Sequence, residues 1–135
     1  MKKQSRSEAR EAAFVQIFQF DGTEDIDEVV NGLLIEQPEC EPNLGYITSV
    51  LTGVKEHNAE LEEIISKHLS KGWTIHRISK ASLVIMKLAI CEMKYIDTIP
   101  PKVSINEAVE LAKRYGAEGD KAFVNGLLGS VFSEL

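Results

Sequence analysis

Cysteine, proline and tryptophan are scarce in this 135-residue chain, with two, four and one of each. Two cysteines cannot build a disulfide framework, which points to a reducing compartment. No run of about 18 apolar residues exists, which excludes a membrane-spanning helix. The basic opening Met1 to Arg6 leads into no apolar stretch of signal-peptide type, so a cytoplasmic location is expected. HExxH, Walker A, GxGxxG and GxSxG motifs and paired cysteines are all missing. His57, His68 and His76 do not fall at ligand spacing and read as solvated helix residues. Cys91 lies within an apolar run and reads as an inert packed thiol. Cys40 stands among carboxylates that disfavour a thiolate. No catalytic constellation, metal site or cofactor is therefore expected, and the chain reads as no enzyme.

What is present is an uneven distribution of charge. The net charge is −6. Residues 1–10 carry four bases against one acid, 11–63 carry thirteen acids against one base, and 64–135 carry ten bases against seven acids. The successive balances are +3, −12 and +3, which sum to −6. A polyanion would find the basic tip and the second half, with the acidic stretch turned away. A solvated tail with scattered surface charge accounts for the same numbers.

Apolar spacing is helical almost throughout, and period-2 alternation is absent. Ser5 or Ser7 can cap a first helix with Ala9, Ala13, Ile17 and Phe20 on one face. Asp21-Gly22-Thr23 breaks it, and Asp25 with Glu28 opens a second helix through a capping box. Residues 36–43, with Pro38 and Pro42, read as a loop. Leu44 to Val54 and Leu61 to Leu69 mark two further helices, or one long one if Gly53 to Asn58 does not interrupt it. From 79 to 96 the chain is apolar nearly all round, the pattern of a buried central helix. Pro100-Pro101 stops it, and Ser104 with Glu107 reads as the capping box of a sixth helix. Gly116 suits a C′ position. Asp120 can cap a last helix with Phe123, Leu127, Leu128, Val131, Phe132 and Leu135 inward. The expected fold is all-α, a compact single domain over 1–135 built as a bundle of about seven helices around the buried one near 79–96.

The segment Ile99-Pro100-Pro101-Lys102-Val103-Ser104-Ile105-Asn106-Glu107-Ala108-Val109-Glu110-Leu111-Ala112-Lys113 is far more specific than periodicity. With Tyr115-Gly116-Ala117-Glu118 and Phe123-Val124-Asn125-Gly126-Leu127-Leu128 it resembles the NusB family of transcription antitermination factors. Lys87 to Met93 and Arg6 to Phe18 are similar to the family as well. The likeness runs over essentially the whole chain, strongest at 83–128 and weak at 21–42.

That resemblance implies an all-helical protein that binds the boxA element of ribosomal RNA leader transcripts. It implies joint binding with the ribosomal protein NusE, and assembly with other Nus factors on RNA polymerase to suppress termination. It implies no catalysis and no cofactor. The RNA-binding residues it implies are Lys2, Lys3, Arg6 and Arg10 at the N-terminus, with Lys121 and Phe123 at the start of the last helix. Ser7 and Glu8 stand where relatives often carry further arginines, and Ala122 where they often carry a base. Phe18 and Ser82, the latter as an outer position of the central helix, are the implied contacts for NusE. The residues alone also allow Phe123 as a core aromatic spaced with Leu127, and Asn106 and Glu107 as first-turn capping residues. Asn125 is expected to be a buried amide tying the last helix to a neighbour. Relatives include monomers and dimers, so a homodimer stays open.

Two other functions fit the chain. One is a helical protein-interaction module without RNA, using the acidic half for a basic partner. The other is a stand-alone relative of the N-terminal domain of ribosomal RNA cytosine methyltransferases, which would need a Rossmann-like half after Leu135.

Overall fold

Short polar side chains set where the first helices begin. Ser5 caps α1 (Arg6–Phe18): its Oγ accepts from the Glu8 N–H at 3.0 Å, and the Glu8 carboxylate accepts from the Ser5 N–H at 2.9 Å. This reciprocal pair is a capping box. Glu8 therefore has a local structural task at the basic tip. Asp25 caps α2 (Ile26–Glu36) by accepting from the Glu28 N–H at 3.2 Å. The stretch expected as a loop winds instead into a 3-10 turn, Pro38–Asn43. Proline presets the φ angle that such a turn needs. α3 (Leu44–Glu56) and α4 (Asn58–Lys67) are separate helices, interrupted at His57.

The computed structural model describes residues 3–135, so Lys2 lies outside the described residues. By its internal packing the chain divides into two compact units, Met1–Glu56 and His57–Leu135. In the first, α1 and α2 both pack on α3. Its core is built from Ala9, Ala13, Phe14, Ile17, Leu33, Ile47, Val50, Leu51 and Val54, all buried. Ala9 and Ala13 are fully buried, and two such small side chains let α1 approach α3 closely.

The second unit is organised on α5 (Lys80–Tyr95), against which α4, α6 (Pro101–Tyr115) and α7 (Asp120–Ser133) pack. Every residue from Val84 to Glu92 is buried, as a helix without a polar face requires. Two of these carry charge. The Lys87 ammonium donates to the Asn58 side-chain carbonyl and to the Glu62 carboxylate, both at 2.7 Å. The Glu92 carboxylate accepts from the Ser104 hydroxyl at 2.8 Å.

Three helix ends differ from expectation. α6 starts at Pro101, not at Ser104. Proline at the first helical position has a preset φ and needs no intrahelical N–H bond. Ser104 thus falls inside the helix, buried, and serves Glu92. Gly116 closes α6 without left-handed geometry, at φ −91°. Its role is close approach: a Cβ there would lie 2.8 Å from the Ala112 carbonyl oxygen and 2.9 Å from Asp120 Cβ. The left-handed residue is Gly119, at φ 93°, which caps α7 in place of Asp120. The Asp120 carboxylate accepts instead from the Ala117 N–H at 2.8 Å and the Ser79 hydroxyl at 3.2 Å. Among the described residues there are seven α-helices and no strand, and no helix is long and apolar enough to cross a membrane.

Candidate nucleic-acid interface

In the first unit, Lys3 is exposed and Arg6 is exposed on the first turn of α1. The Arg6 guanidinium lies 4.5 Å from the centre of the Tyr46 ring, and its Nε donates to the Asn43 side-chain oxygen at 3.2 Å. Arg10, one turn on, is 3% exposed, with its guanidinium 5.4 Å from the same ring. Its expected role as a phosphate contact is therefore corrected. The electron-rich face of Tyr46 and the packed aliphatic stem hold Arg10 as an interior cation. The Asn43 amide donates to the Gln4 carbonyl at 3.0 Å. It thereby ties the segment before α1 to the turn before α3. Neither Tyr46 nor Asn43 stands out in the sequence. Both are buried, at 7% exposure each, which the sequence does not announce. Phe18 is 37% exposed at the end of α1, with its ring 6.0 Å from Phe14.

In the second unit, Phe123 sits half-buried on the first turn of α7. Its ring lies 6.4 Å from that of Trp73, the planes inclined by 30°. Trp73 is 47% exposed, in the connector before the 3-10 turn Ile75–Arg77. The Arg77 guanidinium lies 4.7 Å from the Trp73 ring centre. These groups wall a cleft of about 270 Å³, completed by Ile78, Ser79, Ser82, Gly119 and Asp120. Lys121 is exposed on the same first turn as Phe123. The structure thus brings Phe123 together with two residues that the sequence reading missed, Trp73 and Arg77. Their signal was a lone tryptophan four residues before an arginine, in a connector rather than a core helix.

Two further expectations are corrected here. Ser82 is 1% exposed, so it is no outer position and presents nothing to a protein partner. The helix phase explains it: Ser82 shares its face of α5 with Ile85, Met86 and Ala89, all buried. Asn125 is exposed rather than buried, because Val124, Leu127, Leu128 and Val131 form the inner face of α7. Phe132 and Leu135, also expected inward, are exposed.

No group of three or more His, Cys, Asp or Glu side chains could hold a metal among the described residues. Burial pushes the Cys91 thiol up to about 12, with the neighbouring Glu92 adding to it. Burial, then Glu39, also raises Cys40. Both shifts favour the thiol over the thiolate.

A family model described as the NusB family matches residues 7–133. The transcription antitermination protein NusB of Oceanobacillus iheyensis is 42% identical over 130 residues, covering 96% of this chain and 99% of that protein. The structure of T. maritima NusB superposes with a TM-score of 0.83 at 31% identity, covering 98% of this chain and 94% of that one. A crystal structure of the antitermination factors NusB and NusE in complex with dsRNA shares the fold, at TM-score 0.81 and 24% identity over 96% of this chain and 97% of that one. Matched along nearly its whole length in both sequence and fold, this chain belongs to the NusB family.

Proposed function

We propose that this protein is a transcription antitermination factor that binds boxA-type leader RNA together with NusE, within the Nus complex on RNA polymerase. It works by binding alone, without a catalytic step, in the cytoplasm where the transcript emerges. The observation that carries the reading is the aromatic pair Trp73 and Phe123 at the head of α7, flanked by Arg77 and Lys121, on a chain of this family. Aromatic rings take unpaired bases and nearby cations take phosphates, which is the usual division of labour in single-strand recognition. Stacking contributes about 1–3 kcal/mol per base.

Lys2, Lys3 and Arg6 hold phosphate at the N-terminus, and Lys121 does so beside Phe123. Arg10 acts through Tyr46, shaping the surface that Arg6 presents. Phe18, exposed at the end of α1, is the proposed contact for NusE.

Fluorescence anisotropy with a boxA-type RNA and a scrambled control, with and without NusE at two salt concentrations, tests the reading. Selective binding that tightens with NusE and weakens with salt is expected. Capture of NusE with no response to RNA would overturn it in favour of an interaction module.

A further inference from the structure

We propose that Asn43 and Tyr46 are positioning residues for RNA binding: they hold the Arg6 guanidinium in place before the RNA arrives and leave its two terminal nitrogens for one phosphate. The inference rests on the RNA reading above and adds two buried residues to the surface that Arg6 presents.

Three observations support it. First, Arg6 is an exposed residue whose guanidinium is nevertheless held at two points. Its Nε donates to Asn43 Oδ1 at 3.2 Å, and its central carbon lies 4.5 Å from the Tyr46 ring centre. An exposed arginine ordinarily samples many rotamers, and binding then costs the entropy of selecting one. Here the fold has made the selection. With Nε committed and the ring against the guanidinium, the terminal edge of the fork is what remains for a ligand. That edge matches two oxygens of a phosphate.

Second, the holders are themselves fixed. Asn43 and Tyr46 are both buried, and the Asn43 amide is used at both ends. Its oxygen accepts from Arg6, and its nitrogen donates to the Gln4 carbonyl at 3.0 Å. Turning the amide over would break both bonds, so the oxygen stays toward Arg6. Third, the Tyr46 ring serves a second cation. Arg10, buried, has its guanidinium 5.4 Å from the same ring centre. That interior contact fixes the ring against which Arg6 rests. A lysine at position 6 would keep the charge and lose both the fork and the Nε bond.

A double-mutant cycle on the full-length protein tests the proposal. Anisotropy is read with single-stranded boxA-type RNA at several salt concentrations, NusE held constant, and circular dichroism checks that each variant is folded. Arg6→Lys is expected to weaken binding about two- to tenfold, the cost of ordering one long side chain, at an unchanged log–log salt slope. It leaves the core untouched, so it decides the matter even where Asn43→Ala does not fold. Asn43→Ala is expected to weaken binding by a similar factor and to cost nothing further in an Arg6→Ala background, because it acts only through Arg6. Tyr46→Leu should do the same, and Tyr46→Phe, which keeps the ring, should recover most of the loss. Losses that simply multiply in the cycle would overturn the positioning role and leave Asn43 a structural residue. Wild-type affinity in Arg6→Lys would overturn the held fork and leave the RNA function standing. NMR of the protein without RNA separates the hold from the function. An Arg6 Nε–H resonance protected from exchange in the wild type and lost in Asn43→Ala is expected, and its absence would overturn the hold itself. A protected resonance in a protein that binds no RNA would show the hold to be real while the RNA reading, and the positioning role with it, falls.

Discussion

The Ser104 hydroxyl donates a hydrogen bond to the carboxylate of Glu92 across 2.8 Å, joining α6 to α5 where both residues are buried. The bond turns a motif residue that looks like a helix cap into a partner for an interior acid. Ser104→Ala should destabilise the protein by about 1–3 kcal/mol, since it deprives a buried carboxylate of a donor. A urea titration gives the answer through a lower midpoint at unchanged slope. An unchanged midpoint would show that the bond contributes nothing net.

The two N-terminal arginines should separate cleanly. Arg6→Ala is expected to leave thermal stability nearly intact while lowering the log–log salt slope of RNA binding by about 0.7, one phosphate contact on a single strand. Arg10→Ala is expected to destabilise the fold by about 1–2 kcal/mol through loss of a desolvated cation over Tyr46. Its salt slope should stay as in the wild type once the folded fraction is allowed for. A slope lowered by Arg10→Ala at full folding would put that side chain back on the RNA.

The pH dependence of stability should be set partly by one cluster on the second unit. Glu60 accepts from the Lys94 ammonium and from the Tyr95 hydroxyl, both at 2.6 Å. The hydrogen bond from Lys94, then that from Tyr95, holds the Glu60 carboxyl below its ordinary 4.5. A depressed acid stabilises the fold above its unfolded value, and that stability fades as pH falls through the folded one. The bond to Glu60 raises both Lys94, from 10.5, and Tyr95, from 10.0. Those contributions are full below these values and fade as pH rises past them. Thermal midpoints of the wild type and Glu60→Gln should therefore differ most between about pH 5 and pH 10. They should converge at either extreme. A difference independent of pH would point to packing rather than charge.

Much of the helical order was legible because periodicity, prolines and capping residues act locally. α5 announced itself by lacking a polar face, and Asp25 with Glu28 set the start of α2. Two kinds of feature stayed hidden. The first is competition between equally good local signals. Pro101 and Ser104 both begin helices well, and the earlier one won because burying Ser104 satisfies Glu92. The second is tertiary pairing. Nothing in the spacing of Trp73, Arg77 and Phe123 says that they meet, since the first and the last lie 50 positions apart. Ser82 fell to a related limit, because helix phase alone does not say which side of an all-apolar helix is covered. For the site residues implied by resemblance, exposure had to come from the structure, as buried Arg10 and exposed Arg6 show.

Both thiols should be silent in the native state. At pH 8 the raised Cys91 and Cys40 remain protonated and buried. A disulfide exchange reagent should label neither until denaturant is added, after which two equivalents should react. Rapid native labelling of one equivalent would mean that its segment opens locally far more often than its burial implies.

Gly116→Ala should lower the thermal midpoint at a cost of about 1–3 kcal/mol, because the new methyl meets both backbone and the Asp120 side chain. Circular dichroism melting will show it. A neutral outcome would mean that the first turn of α7 yields without loss.

The Asn43 bond to the Gln4 carbonyl closes a span of 39 residues. The arginine-bearing end of the protein is thus a non-local assembly, shaped by a turn that the ribosome makes long afterwards. A synthetic peptide of residues 1–20 would carry the same charges without Asn43 or Tyr46. It should bind RNA as any short polycation does, without the orientation that α3 gives to Arg6.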